Sequence, residues 1–357
     1  MRIMIVTPRF FPDSGGVENV VFNQSRILSS LGHEVTIVTT VSEKSRVGSE
    51  EMEGFVVHRC RAISPGNAYF FSPELGRLVG RLSESFDLIH AHNYHSFPAM
   101  HAFRNKKETP FVISCHYHRH SHVGFRNLLH VPYRVFSKKM VECSDLVMCV
   151  SNSEKELLRL DFSPKNAIVN HNGVDNDGFV KREGVSEPVS CAIGRLDRYK
   201  NVDLAIRAIS LIPDFRLDIV GKGPDEARLR KIANQLHLKD RVKFHGYVDI
   251  GRKNEILSRS ASIISLSDHE SFGMTLVEGA MQGIPVIASN IPSHREIAEI
   301  IGNGISIVDS RDIDEIARKI SQTNEIRNEL HFSNLERFTW EANVKRLVDS
   351  YEKVLDR

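Results

Sequence analysis

The sequence predicts an α/β protein of two Rossmann-like, doubly wound parallel-sheet domains. Three observations carry this. Short β-branched or apolar runs alternate with amphipathic helical patterns from residue 2 to about residue 170, and after a polar, Gly- and Pro-containing stretch the same alternation restarts at 188. A chain of 357 residues has room for about two domains of ordinary size. The expected division is 1–175, 176–337 and a closing helical segment at 338–357.

Composition narrows the function classes. With 41% apolar and 26% charged residues the chain is ordinary for a globular protein, and a formal net charge of +2 argues for neither nucleic acid nor a membrane, so any basic patch is local; no nucleic-acid partner is expected. Five scattered cysteines (Cys60, Cys115, Cys143, Cys149, Cys191), mostly in apolar runs, read as buried thiols in a reducing compartment. Residues 1–7 pass directly into a strand pattern, and no apolar run approaches membrane-spanning length. A cytoplasmic protein is expected.

The first half opens with a strand at 2–7, a loop rich in Pro, Phe and Asp, and Gly15–Gly16 ahead of a helix over 17–31. Gly32 stops that helix, and 34–39 is the second strand. Gly15 and Gly16 form a short phosphate-type turn, but the segment lacks the third glycine of a dinucleotide fingerprint. Further strands are expected at 55–60, 87–91, 110–115, 145–150 and 167–170. Two of these run into histidines, His90 and His92 after one, His116 after another, at carboxyl ends of the kind that line the ligand edge of a parallel sheet.

Nine of the seventeen histidines fall between His90 and His130, and His116, His118, His120 and His122 alternate. Extended, that run would put four imidazoles on one face, which raises a metal site, but no acidic or cysteine ligand lies at the usual short spacing. A solvated or lipid-facing loop is the other account, and no metal is expected. From His101 to Met140 the chain carries Arg104, Lys106, Lys107, Arg119, Arg126, Arg134, Lys138 and Lys139 against one acid, Glu108, interleaved with apolar residues. Such a stretch suits anionic lipid headgroups or a phosphorylated acceptor, or else is a surface helix made soluble by its bases. Pro132 is expected to interrupt any single helix here.

In the second half a strand at 188–194 leads into Gly194–Arg195–Leu196–Asp197 and on to Tyr199–Lys200–Asn201 before a helix at 202–211. Arg195 and Lys200 follow a strand, where two cations can meet the two charges of a diphosphate. A solvated loop is the alternative for exposed bases. A strand at 215–220, a helix through 236, and short strands at 241–244 and 246–248 follow. Next, 262–266 reads as a buried strand and 274–281 as a helix, with Glu270 where one gives way to the other. The free amides of Ser271, Phe272, Gly273 and Met274 suit a phosphate, and Gly273 lets an anion approach the backbone. Glu278, about two turns along the helix, can bond the vicinal hydroxyls of a ribose. Strands at 284–288 and 305–308 and helices at 312–322, 325–335 and 340–355 close the chain.

Glu270 and Glu278 with Phe272–Gly273 between them and Gly283–Ile284–Pro285 after them resemble the signature of the large family of retaining, nucleotide-sugar-dependent glycosyltransferases of the GT-B fold, family 4 (glycosyl transferases group 1). The run from Gly194 through Lys200 to Asn201 and the Asn172–Gly173–Val174–Asp175 turn match two more motifs of that family, in the same order. The resemblance implies two domains facing a cleft, the second binding the donor and the first the acceptor. By position it assigns Gly15 and Gly16 to the loop facing diphosphate and acceptor, His116 to the active-site histidine, and Tyr247 and Val248 to the nucleotide base. Arg195, Lys200 and amides through Thr275 would stabilise the departing diphosphate, Glu278 would hold the ribose, and Glu270 the hydroxyls of the transferred sugar. No cofactor is implied beyond the nucleoside diphosphate sugar as co-substrate, and the chemistry is expected to be metal-independent. The acceptor is expected to be a lipid-linked, inositol-type or glycan hydroxyl, with Arg126, Arg134, Lys138 and Lys139 contacting acceptor or membrane at the inner face. The chain departs from the family pattern in the loop expected at 290–296, where Pro292–Ser293 replaces a glycine pair ahead of Glu296. Two competing functions remain at this stage: a nucleotide-sugar epimerase or hydrolase on the same fold, and a non-catalytic sugar-nucleotide or lipid-binding protein.

Overall fold

The structure, a computed structural model, describes the chain except residues 14, 66–68, 120–123, 176–186 and 327–328, and describes backbone alone at 124–132 and 324–326. Contacts divide it into two units, Met1–Gly173 with Trp340–Arg357, and Val174–Thr339.

The first unit contains β1 (Arg2–Val6), α1 (Gly16–Ser30), β2 (Glu34–Val41), β3 (Gly48–Met52), β4 (Phe55–Arg61), α2 (Pro73–Leu82), β5 (Leu88–His92), α3 (Phe97–Asn105), β6 (Phe111–Ser114), α4 (Gly124–Glu142), β7 (Leu146–Cys149), α5 (Asn152–Phe162) and β8 (Ala167–Val169). Its sheet runs in the order β3-β4-β2-β1-β5-β6-β7-β8. All neighbours are parallel except β3, which pairs antiparallel with β4 from Gly48 against Arg59 to Met52 against Phe55. The central strands are buried on both faces, which is why they read as continuous apolar runs such as Ile3–Met4–Ile5–Val6. β3 was not expected: its Gly–Ser–Glu–Glu–Met sequence is exposed and has no apolar face to announce it.

The second unit contains β9 (Val189–Ile193), α6 (Val202–Ser210), β10 (Arg216–Val220), α7 (Glu226–Gln235), β11 (Val242–Gly246), α8 (Ile250–Arg259), β12 (Ser262–Ser265), α9 (Met274–Met281), β13 (Val286–Ser289), α10 (Pro292–Ile301), β14 (Ile305–Val308) and α11 (Ile313–Ile326). Its all-parallel sheet runs β11-β10-β9-β12-β13-β14. The chain winds outward one way from β9 and the other way from β12, so the β9/β12 junction is the switch point where ligands of open sheets bind.

Four expectations are corrected. The loop expected at 290–296 is a helix from Pro292 onward, because proline at a first helical position gives up no needed hydrogen bond and has its φ preset. No helix occupies 330–334: His331 N–H donates to Asn303, Ser333 N–H to the Ile301 carbonyl, and Phe332 fills the space left by Gly304, so tertiary contacts satisfy this backbone instead. α4 is continuous through position 132. A proline inside a helix costs about 3 kcal/mol, and this helix is anchored by Tyr133 Oη donating to the Tyr94 and Ser96 carbonyls at 2.6 and 2.9 Å, with Met140 and Val141 in the core. Cys143 is exposed, whereas the other four cysteines are buried, free thiols.

The last helix, α12 (Trp340–Leu355), belongs to the first unit. Val344, Leu347, Tyr351 and Val354 lie one or two turns apart on one face and join Ile3, Ile5, Val35 and Ile37 in its core. Asn343 accepts from Gln24 at 2.9 Å and donates to the His171 carbonyl at 2.8 Å, pairing polar groups that burial would otherwise leave bare. Among the described residues no helix is long and apolar enough to cross a membrane.

Candidate functional site

In the second unit the carboxyl ends of β9 and β12 enclose a pocket lined by Gly194, Arg195, Lys200, Ile264, Ser265 and Ser267. The loops behind it are joined backbone to backbone. Gly194 N–H donates to the Val220 carbonyl, Leu196 N–H to the Lys222 carbonyl and Gly221 N–H to the Gly246 carbonyl. A Cβ on Gly221 would stand 1.9 Å from the Gly194 carbonyl oxygen, and φ there is +130°, so glycine is required twice over. This holds the Arg195 loop against the rim of the sheet.

Within the pocket Lys200 Nζ donates to Glu270 Oε1, and Ser267 Oγ donates to the same oxygen at 2.8 Å. The two charged side chains are only 21% and 19% exposed. Burial acts to raise the Glu270 carboxyl, but the Lys200 ammonium, its hydrogen bond and Ser267 outweigh it and hold the group below the usual carboxylate range. Burial likewise acts to lower Lys200, and the Glu270 charge reverses it, leaving the ammonium raised. The pair is thus ionised, with each charge able to turn to a ligand of opposite sign or to a hydroxyl. Arg195 is 65% exposed and bonds Asp197 Oδ2 at 3.0 Å, leaving its guanidinium near the pocket mouth. Asn201 ties this loop to the Glu270 loop by donating to the Leu266 carbonyl and to Asp268 Oδ1 at 3.0 and 2.7 Å.

α9 opens after Gly273, whose φ of 111° is left-handed and which, as the N-cap, offers no side chain. The N–H end of the helix, with its positive dipole end, therefore follows closely on Glu270 in the chain. Phe272 is buried and packs near Phe338, while Met274 and Thr275 form the first helical turn. Glu278, on the same helix, is held by Lys253 of α8 at 3.2 Å. Tyr247, beyond β11, is 65% exposed and so is not a packing residue; Val248 follows it, ahead of Asp249, which caps α8 through the Arg252 amide.

In the first unit His116 follows β6 with a left-handed φ of 48°. That breaks the extended alternation expected for His116, His118, His120 and His122, since left-handed backbone turns the chain; His118 instead stacks on His95, and His120 and His122 lie outside the described residues. His116 Nε2 is 3.4 Å from His92 Nδ1, and the His90 ring lies tilted against His92, centroids 4.2 Å apart, with Tyr351 Oη 2.6 Å from its Nδ1. Burial, then the neighbouring His118, pushes His116 down to about 4, a neutral imidazole at physiological pH. Among the described residues no three His, Cys, Asp or Glu side chains are grouped to hold a metal ion.

The glycine pair opens α1 beside Glu18. Gly15 precedes α1 in extended conformation, and a Cβ there would stand 2.3 Å from Glu18 Oε2; the buried Glu18 carboxylate pairs with Arg9 at 2.8 Å. Gly16 faces open space. Of the basic stretch, Arg134 is engaged by Asp161 at 3.0 Å and Lys138 by Glu142 at 3.6 Å, Lys139 is exposed, and the Arg126 side chain lies outside the described residues.

Sequence reasoning missed Ser267, Lys253 and His294. Ser267 is three residues from Glu270 and carries no motif of its own; Lys253 and His294 reach the site only through the fold.

Residues 175–331 match the family of glycosyl transferases group 1, and residues 14–177 match glycosyltransferase family 4. The chain is 25% identical over 99% of its length to the phosphatidylinositol N-acetylglucosaminyltransferase GPI3 subunit of Saccharomyces cerevisiae, covering 83% of that protein. It is 27% identical to the D-rhamnosyltransferase WbpZ of Pseudomonas aeruginosa, over 85% of this chain and 81% of the relative. It is 23% identical to the GDP-mannose:cellobiosyl-diphosphopolyprenol alpha-mannosyltransferase of Xanthomonas campestris, over 99% and 97%. Among solved structures, a sucrose-phosphate synthase from Thermosynechococcus elongatus superposes with a TM-score of 0.78 at 19% identity, covering all of both chains. Anabaena Alr3699/HepE in complex with UDP and glucose superposes at 0.75 and 18%, covering 99% of each.

Proposed function

The chain belongs to the glycosyl transferases group 1 and has the GT-B fold, and from that premise we propose that it moves a sugar from a nucleoside diphosphate to an acceptor hydroxyl with retention of anomeric configuration. That it is a glycosyltransferase follows from the family; the donor, the acceptor and the residue roles are the proposal. The observation that supports it most is the largely buried Lys200–Glu270 pair close to the N–H end of α9. The ammonium, with Arg195 and the N–H end of α9, neutralises the diphosphate as the C1–O bond to phosphate breaks. Glu270, released from Lys200, takes hydroxyls of the transferred sugar. Glu278, oriented by Lys253, takes the ribose hydroxyls, and exposed Tyr247 offers a face to the base. The first unit's candidate is His116, a neutral imidazole suited to a sugar hydroxyl. As the acceptor oxygen bonds C1, its proton passes to the leaving phosphate oxygen, so no protein nucleophile is required.

The relatives whose names carry phosphatidylinositol and diphosphopolyprenol support a lipid-linked acceptor. Val135 and Phe136 on α4 are 72% and 64% exposed, with Lys138 and Lys139 following them, a pairing that fits insertion at an anionic bilayer carrying such an acceptor. The test is a panel of UDP-, GDP- and ADP-sugars offered with phosphatidylinositol and polyprenyl-diphosphate-linked acceptors, the product anomer being read by NMR. Transfer with retention is expected. Rapid turnover of donor with no acceptor present would instead favour a hydrolase or epimerase, and inversion would overturn the mechanism.

A further inference from the structure

His294, in the first turns of α10, is fully buried and lies behind the donor pocket. Its Nδ1 stands 3.2 Å from both the carbonyl oxygen and Oγ of Ser289. Ser289 Oγ has already given its hydrogen to the Ser267 carbonyl at 2.6 Å, so both atoms facing Nδ1 are acceptors, and Nδ1 must carry the ring's hydrogen. A charged ring would carry a second N–H at Nε2, where no described residue accepts it. Burial accordingly pushes His294 down to about 4, against the pull of the Glu270 charge.

The links continue outward. Ser267, whose carbonyl takes the Ser289 hydrogen, gives its own hydroxyl hydrogen to Glu270 Oε1 at 2.8 Å. On its other side the imidazole edge lies against the turn that opens α9: a Cβ on Gly273 would stand 3.2 Å from His294 Cδ2 and 3.6 Å from Nε2. One ring thus braces the two elements on which the donor site depends, out of solvent and with no hydrogen bond of its own to Lys200 or Glu270. An unpartnered nitrogen in a core is destabilising, and a leucine of similar size would avoid that penalty. Retaining the histidine is explained if the Nδ1 link and the flat ring face are what the site needs.

We infer that His294 is a positioning residue for sugar transfer, fixing the Glu270 carboxylate through Ser289 and Ser267 and setting the Gly273 turn that opens α9. The inference rests on the donor-site reading above, and the experiment separates the two. The full chain and its H294N, H294Q and H294L variants are compared for UDP and GDP binding by calorimetry, for kcat and KM with whichever donor the wild type turns over, and for melting temperature. Asparagine places an amide nitrogen where Nδ1 sits; glutamine places one nearer Nε2. H294L is expected to fold and to lose about 10- to 100-fold in kcat with a smaller rise in donor KM. H294N should recover to within about threefold of wild type, and H294Q should not. Ser289→Ala, which removes one link of the chain, should fall between. Wild-type kcat in H294L would overturn the inference, as would equal losses in all three His294 variants that track their melting temperatures. A wild type that binds neither UDP nor GDP and turns over no donor would overturn the reading of the pocket, and the inference with it.

Discussion

Replacing Lys200 by alanine isolates the interaction at the centre of the donor site. Its ammonium and the Glu270 carboxylate are about four-fifths buried, so removing the lysine leaves a carboxylate with Ser267 as its remaining hydrogen-bond donor and little water. Leaving one partner of a buried ion pair uncompensated costs about 3–5 kcal/mol, and about 3 is the better figure here because both groups keep some solvent contact. Against a domain stability of roughly 5–15 kcal/mol, that is readily measured by urea unfolding. The pH dependence distinguishes this cause from a packing defect. In the native protein Glu270 is held below its usual range, so it adds stability above about pH 4.5 that is lost as pH falls through its folded value. Without Lys200 burial is opposed by the neighbouring His294 and by Ser267 alone, burial dominates, and its pKa rises. The gap between wild type and K200A should therefore be widest near pH 7 and close as the pH falls and Glu270 protonates. K200A combined with Glu270→Ala should recover most of the loss. Sugar transfer should fall about 10²–10³-fold in K200A, the usual cost of removing one group that stabilises developing charge. A K200A protein as stable as the double variant at every pH, with transfer intact, would refute the assignment.

Gly273→Ala forces a side chain into left-handed backbone and brings a methyl to 3.2 Å from the His294 ring; a loss of about 1–2 kcal/mol and weaker nucleoside diphosphate binding are expected, by unfolding and calorimetry respectively. Glu278→Ala leaves Lys253 without its carboxylate and should weaken donor binding about tenfold, or about 1.4 kcal/mol, with little change in kcat. Glu154, buried at the start of α5 and accepting from the Tyr117 and Val150 amides at 2.6 Å each, is pushed by burial up to about 7 despite those bonds. Its native form binds a proton that the unfolded chain releases at about 4.5, so its stabilising contribution is full below pH 4.5 and is lost as pH rises through 7, on the order of 3 kcal/mol across that window. Glu154→Gln should flatten this part of the stability profile; an unchanged slope would remove Glu154 as its source.

The alternation of strand and helix, the helix at 274–281, and the spacing that puts Glu270 just before α9 and Glu278 on it were legible from the chain alone. Each depends on neighbours within a dozen residues, where side-chain period, β-branching and glycine act on the local backbone. The irregular path at 330–334 and the exposed edge strand β3 were not legible in that way. There, backbone groups are satisfied by partners 28 or more residues away, or the segment has no buried face to mark it. The site divides along the same line. Its charges could be named from the sequence, but only folding brings Lys200 against Glu270 across 70 positions and puts His294 behind Gly273. Burial makes those pairings strong, and burial is a property of the packed molecule: a side chain's environment is set by whatever the sheet brings beside it, at any separation along the chain.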